Sequence, residues 1–162
     1  MTLLIREALE SDGQAILEII LPVIREGETY ALDRDMSAEA ALEYWMAPTK
    51  TTFTAVDGGH VLGTYYLTRN QGGGGAHVCN CGFMVAPEAS GKGVARAMCE
   101  HALATARDQG YRAMQFNFVV STNTRAIALW ERMGFDVVGR LPRAFHHPNE
   151  GLVDALIMYQ KL

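Results

Sequence analysis

Between Ala76 and Gln109 the hydrophobic period changes once, and that change limits the architectures open to the chain. Ala76 to Val85 reads as a strand. From Gly91 to Gln109, Val94, Ala95, Met98, Cys99, Ala102 and Ala106 then recur on one helical face, with Arg96, Glu100 and Arg107 off it. The join runs Gly82-Phe83-Met84-Val85-Ala86-Pro87-Glu88-Ala89-Ser90-Gly91-Lys92-Gly93-Val94-Ala95, and Gly110 is placed to cap the helix end. A strand that feeds a long helix through a glycine-bearing loop belongs in a layered α/β domain. The join is also an anion-binding geometry. Unpaired N–H groups at a helix start point outward, the helix dipole adds positive potential, and Gly91 and Gly93 would let a phosphate approach the backbone. Lys92 and Arg96 could add counter-charge. By themselves the two glycines are better read as a plain tight turn. No Lys-Ser or Lys-Thr follows Gly93 and no third glycine completes a dinucleotide fingerprint.

The remaining elements arrange themselves around this unit. Leu3 to Arg6 signals a short strand, and Glu10 to Leu21 a helix through Ala15, Ile16, Ile19 and Ile20, which Pro22 should end or kink. Ser37 can cap a second helix to about Trp45. The loop between these helices carries Glu28, Thr29, Tyr30 and Arg34, of which the first three could line an acceptor pocket. Phe53–Val56 and Val61–Leu67 read as a hairpin closed by Asp57-Gly58-Gly59-His60. Gly72 to Gly75 fits either a mobile hairpin tip or a gating loop. Ala113–Val120, Phe135–Leu141 and Leu152–Tyr159 are further strands, with a short helix from about Thr124 to Met133. The alternation predicts a mixed α/β sheet, partly parallel, of six to seven strands with about four helices, in one domain spanning residues 1–162.

Composition narrows the function. Fourteen Lys and Arg against eighteen Asp and Glu give a net charge of -4, so no basic field draws the chain to nucleic acid or to anionic lipid. Any anionic ligand must be held by local geometry. The apolar stretch Ile16 to Ile24 is interrupted by Glu18 and Pro22 and reads as neither a signal peptide nor a membrane span. Three cysteines, Cys79, Cys81 and Cys99, suggest no disulfide framework, and a reducing cytoplasm is the expected location. His77, Cys79 and Cys81 alternate on one strand face, with same-face Cα atoms about 6.6–6.8 Å apart, a poor fit to one metal ion. No metal is expected.

The glycine loop resembles the cofactor motif of the GNAT superfamily of N-acetyltransferases, Gln/Arg-x-x-Gly-x-Gly/Ala, with Ser90, Gly93 and Ala95 at the three defined places. Ser90 is too short to replace the usual long polar arm, so contact with a pyrophosphate would rest on main-chain amides. A second run, Asn123-x-x-Ala126-x-x-Leu129-Trp130-x-x-x-Gly134-Phe135, resembles the family's pattern at the family's distance. The resemblance implies acetyl-CoA as co-substrate, with the main chain of Met84 and Val85 along the pantetheine arm. The amides of Ser90, Gly91, Lys92, Gly93, Val94 and Ala95 would hold the pyrophosphate, and Asn123 and Trp130 would lie beside the cofactor. It also implies that the fourth and fifth strands splay apart.

Acetyl transfer to an amine needs a neutral nucleophile, donors to a developing oxyanion and a proton source for the departing thiolate. Family members often place a tyrosine where Trp130 stands, and an indole N–H has no useful acidity. Trp130 could pack along the cofactor arm or simply fill the core. The fourth strand carries no carboxylate; what the chain offers instead is Asn80, Asn117 and Asn123. Asn117 alternates with Phe116 and Phe118 and should sit among nonpolar groups, while Asn123 could serve only as a helix cap. The pattern Cys79-Asn80-Cys81-Gly82-Phe83 with Phe116-Asn117 and Asn123 resembles the fungal N-acetyltransferases that act on proline analogues, in which such asparagines bind the small substrate and orient its amine. The implied reaction is direct attack by the amine of an amino acid or analogue in a ternary complex. Alternatives are a protein N-terminus or lysine as acceptor, or a non-catalytic acyl-CoA-binding domain. His146 and His147, read as a loop before the last strand, could supply a base. The oligomeric state, a homodimer among the options, stays open.

Overall fold

The computed structural model describes residues 1–162. Its elements are β1 (Leu4–Glu7), α1 (Gly13–Glu26), α2 (Ala38–Trp45), β2 (Lys50–Asp57), β3 (His60–Arg69), β4 (Val78–Val85), α3 (Val94–Asp108), β5 (Ala113–Val120), α4 (Thr124–Arg132), β6 (Asp136–His147) and β7 (Gly151–Lys161). All seven strands form one sheet in the order β1-β2-β3-β4-β5-β7-β6. Every neighbouring pair is antiparallel except β4 and β5, which are parallel and joined through α3.

Alternation along β3 and β4 sorts the helices. Tyr66 faces Trp45 of α2 at 4.9 Å between ring centroids, whereas Tyr65 and Phe83 face His101 of α3 and Trp130 of α4. The core therefore has a layer under α1 and α2 and an aromatic layer under α3 and α4. Trp45 is locked in the first layer by its indole N–H, which donates to Thr64 Oγ1 at 3.0 Å. Ser37 caps α2, accepting from the Ala40 N–H, in agreement with the sequence expectation.

Three boundaries differ from that reading. Pro22 does not end α1, which runs to Glu26 and stops at Gly27 (φ 67°). The proline forfeits one intrahelical bond, but its ring stands in solvent while Ile16, Ile20 and Ile24 keep one buried stripe continuous. The long helix begins at Val94 rather than Gly91, because Gly91 (φ 75°) and Gly93 (φ 81°) adopt left-handed backbone that closes the loop before helix can form. Strand β6 extends to His147, so His146 and His147 lie in a strand and not in a loop. It continues past Leu141 because a bulge between Leu141 and Phe145 absorbs Pro142. There Asp154 accepts from Arg143 N–H and from the Arg140 guanidinium, both at 2.8 Å. Gly73–Gly75 forms a short 3-10 turn between β3 and β4.

Candidate active site

Strands β4 and β5 pair only at Val78↔Ala113 and Cys79↔Met114. Beyond Cys79 they part, and Asn80 stands at the fork: its Nδ2 donates to the Gln115 carbonyl at 2.9 Å, a side chain in place of the next ladder rung. The expected splay is present, and it opens into a cleft of about 1150 Å³. One end of the cleft is the loop after β4 with the first turn of α3, α4 runs along one wall, and the other end lies under α1, α2 and the loop between them.

The loop end is a cradle of main-chain donors. The first bond inside α3 runs from Ala97 N–H to the Gly93 carbonyl, so the N–H groups of Val94, Ala95 and Arg96 precede the helical ladder. Not every amide of the motif is available. Ser90 N–H is bonded to the Pro87 carbonyl and Lys92 N–H to the Ala89 carbonyl, which removes both from the predicted set. The Lys92 side chain does not line the cleft, whereas those of Arg96, Arg125 and Arg132 do. Arg125 reaches over the loop, its guanidinium 3.8 Å from where a Cβ on Gly91 would stand, and a Cβ on Gly93 would touch nothing within 4 Å. An open concavity of free N–H groups with arginines on its rim suits a diphosphate.

Along β4 the main-chain phase decides which groups face the gap. The Val78 carbonyl accepts from Asn70 and Ala86 N–H donates to Leu62 on β3, so Asn80, Gly82 and Met84, in the same phase, also turn their main chain to β3. Met84 lines the cleft, but its amide and carbonyl are not on the open edge as the motif suggested; those of Phe83 and Val85 are. On that edge the Tyr30 hydroxyl, from the α1–α2 loop, donates to the Phe83 carbonyl and accepts from the Phe83 N–H, each at 2.9 Å. Burial pushes the Tyr30 phenol well above its usual pKa.

The far end is built from side chains on the α1/α2 face of the sheet. Tyr66 lies flat across Gly82: a Cβ there would sit 2.6 Å from its ring and 3.0 Å from its hydroxyl oxygen. Gly82 is what lets this ring reach the cleft, where Tyr44, Thr29, Leu32 and Glu26 join it. Behind them Lys50 places its ammonium 3.4 Å from the Tyr44 centroid and 4.2 Å from that of Tyr66, with burial pulling its pKa down to about 8 and the two ring faces favouring the cation.

All three predicted asparagines line the cleft. Asn117 is exposed rather than enclosed by nonpolar groups, because a register shift between Phe116 and Val119 turns β5 at this point. Its amide joins a chain in which Gln115 Nε2 donates to Asn117 Oδ1 at 2.8 Å and Asn117 Nδ2 donates to Asn70 Oδ1 at 2.6 Å. Asn123 occupies the cap position of α4 yet makes no side-chain capping bond, so the cap role does not account for it. Trp130 is 8% exposed and packs on Phe83 and Phe116, both at 5.1 Å, with one surface on the cleft. Cys81 lines the cleft, but burial raises its thiol well above the ordinary range, which opposes a thiolate nucleophile. Neither His146 nor His147 reaches the cleft; His147 Nδ1 accepts from Asn149 and Glu150 N–H and holds the β6–β7 turn. Glu28 accepts from Asn149 Nδ2 at 3.4 Å, so of the predicted loop residues only Thr29 and Tyr30 line the cleft.

Sequence reasoning missed Arg125, Tyr66 and Tyr44. Arg125 had a usable signal, a cation in the first turn of a helix bordering an anion site. Tyr66 had none, since its role depends on the register that sets it opposite Gly82.

Residues 15–135 match the model of the acetyltransferase (GNAT) family. The chain belongs to the GNAT family. It is 31% identical to the N-acetyltransferase aca1 of Schizosaccharomyces pombe over 83% of this chain and 72% of that protein. Among solved structures it is similar to a GCN5-related N-acetyltransferase from Kribbella flavida, with 44% identity, a TM-score of 0.94 and coverage of 99% and 98% of the two chains. It also shares its fold with a phosphinothricin acetyltransferase from Sinorhizobium meliloti in complex with acetyl-CoA, at 23% identity, a TM-score of 0.87 and coverage of 100% and 89%. This GNAT protein is thus an acetyl-CoA-dependent N-acetyltransferase, and the donor cradle, the open edge of β4 and the rim arginines suit that co-substrate. No group of three or more His, Cys, Asp or Glu side chains is arranged to share a metal ion, and no helix is long and apolar enough to cross a membrane.

Proposed function

We propose that this acetyltransferase moves the acetyl group of acetyl-CoA to the amine of a small molecule, an amino acid or analogue, by direct attack within a ternary complex. The observation that carries the reading is the two-ended cleft: an anion cradle at one end, and at the other a pocket of Tyr66, Tyr44, Thr29 and Leu32 that meets Asn80 at the fork. In this reading the N–H groups of Gly91, Gly93, Val94 and Ala95 hold the diphosphate, with Ser90, Arg96 and Arg125 around it. Val85 meets the pantetheine arm, and Trp130 and Asn123 border it. Asn80 and Asn117 orient the acceptor. Each retains an amide N–H beyond its protein bond, and neutral donors of this kind can bind a carboxylate. The lining cations, Arg96, Arg125 and Arg132, are all on α3 and α4, so an acceptor carboxylate would depend on those amides. Kinship with a fungal N-acetyltransferase is in keeping with the resemblance of the asparagine pattern to enzymes acting on proline analogues.

Glu26 is the single acidic residue on the cleft wall, so the wall lacks the acidic groove that would favour a basic protein substrate. Thiol release from acetyl-CoA, measured across amino acids including cyclic imino acids, polyamines, aminoglycosides and N-terminal peptides, tests the reading. Turnover fastest with an amino acid or analogue, and a product heavier by one acetyl group, is expected. Turnover confined to peptides would replace this acceptor with a protein one.

A further inference from the structure

Where β4 loses its partner, the main chain of Phe83 should be bare. Instead one phenol oxygen from another part of the chain satisfies both of its polar groups. Tyr30 Oη, in the loop after α1, lies 2.9 Å from Phe83 N and 2.9 Å from Phe83 O, on the edge of β4 that faces the gap. The ring is held from behind, edge-on to Trp45 at 6.1 Å. Tyr30, Phe83 and Asn80 all line the same cleft, and Asn80 marks the closed end of the gap three residues before Phe83. A hydroxyl so placed stands in the opening where an acyl thioester lying along β4 must bring its reacting atoms. On the opposite wall, α4 offers Trp130, whose indole N–H cannot give up a proton to a thiolate.

We infer that Tyr30 is the proton donor to the departing thiolate, so that the acid of this reaction enters from the α1–α2 loop rather than from α4. The inference rests on the acetyltransferase activity and not on which amine is the acceptor. The balance is complete without another reagent. The neutral amine attacks the carbonyl carbon and forms the C–N bond while the carbonyl oxygen takes the electron pair. The carbonyl re-forms, the C–S bond breaks, and sulfur takes the proton from Tyr30 Oη. The tyrosinate left behind recovers a proton, through water, from the nitrogen that was acylated, which yields a neutral amide and the CoA thiol. Burial disfavours the phenolate, so the proton must leave the Phe83 carbonyl and pass to sulfur against the pKa difference as the C–S bond breaks, while its recovery from the acylated nitrogen is downhill. The hydrogen bond that Tyr30 accepts from Phe83 N–H stabilises the transient phenolate.

The test compares wild type with Tyr30→Phe, which keeps the ring against Trp45 and removes only the hydroxyl, and with 3-fluorotyrosine at position 30, which keeps both hydrogen bonds and acidifies the phenol. Three quantities are read: acetyl-CoA affinity by calorimetry, kcat for thiol release, and the solvent deuterium isotope effect on kcat. Water serves as acceptor if no amine is faster, since hydrolysis releases the same thiolate. Tyr30→Phe should lose about 10²-fold or more in kcat. Its acetyl-CoA affinity should stay within threefold of wild type, and its isotope effect should differ. The fluorinated protein should show a kcat changed in step with phenol acidity. Tyr30→Phe turnover within threefold of wild type would overturn the inference, as would equal losses in affinity and kcat, which mark a mere tether of the loop. If Tyr30→Phe does not fold, a fluorinated protein indistinguishable from wild type overturns it. Acetyl-CoA binding with no thiol released by wild type to any amine or to water would remove the acetyl-transfer reading itself, a result distinct from these.

Discussion

Gly82→Ala places a methyl group where Tyr66 already lies, 2.6 Å from Cε2 and 2.8 Å from Cζ of the ring. The ring has no room to retreat: Tyr66 is 6% exposed, with Trp45 edge-on at 4.9 Å, Tyr44 at 6.3 Å and the Lys50 ammonium over its face. Overpacking of this kind costs about 1–3 kcal/mol. At about 2–4 °C per kcal/mol for a chain of this size, thermal unfolding should shift down by roughly 2–12 °C. The ring must also tilt toward the acceptor end of the cleft, so KM for the amine should rise while acetyl-CoA affinity stays within a few-fold. The double variant Gly82→Ala/Tyr66→Leu isolates the cause. Because leucine vacates the space the methyl group needs, the pair should be less destabilised than the sum of the singles by about 1–2 kcal/mol. Additivity within about 0.5 kcal/mol would refute the claim that Gly82 exists to admit Tyr66.

Asn80→Ala removes the amide at the fork and should lower kcat by about 10–100-fold, the worth of about one charge-assisted hydrogen bond, with calorimetric acetyl-CoA affinity nearly unchanged. Equal turnover in that variant would remove Asn80 from the acceptor site. At the other edge of the sheet, Arg6 bonds Asp12 at 2.7 and 3.0 Å, and the Leu9 N–H adds a third bond at 2.7 Å, which together hold the Asp12 carboxyl below its ordinary pKa of 3.8. That stabilisation is fully present above the unfolded-state pKa and is lost as pH falls through the lower folded value. Asp12→Asn should therefore cost about 1–2 kcal/mol at pH 7 and flatten the fall in stability below pH 4 in urea melts; an unchanged acid limb would contradict the pairing.

The order of elements was readable because each boundary carried a local signal: Ser37 before α2, Gly58-Gly59 in the hairpin, Gly110 after α3 and Gly134 after α4. The errors fell where tertiary packing outweighed such a signal. Pro22 says stop, yet Ile24 lies on the same buried stripe as Ile16 and Ile20, and the helix continues. Pro142 says stop as well, yet Asp154 across the bulge takes both Arg140 and Arg143 and the strand runs on. For the candidate site, the glycine loop and the three asparagines stood out as residue types at fixed spacing, and all of them border the cleft. Main-chain phase was not legible, and it put Phe83 in place of Met84 on the open edge of β4, beside the expected Val85. Nor could a single sequence reveal that Tyr30 meets Phe83 across fifty-three positions, or that Asn117 is turned outward by a register shift.

The acetyl-CoA affinity of Gly93→Ala tests most directly whether the amides at the start of α3 hold the diphosphate. The glycine sits at φ 81°, and an added Cβ would touch no protein atom within 4 Å, so inside the chain the substitution costs only about 1–2 kcal/mol of backbone strain. If the amides at the start of α3 grip the diphosphate through close approach to this backbone, the methyl group occupies the ligand's space. Calorimetry should then show a Kd at least tenfold weaker, about 1.4 kcal/mol, with the fold retained. An affinity equal to wild type, or a wild-type protein that gives no heat with acetyl-CoA, would contradict it.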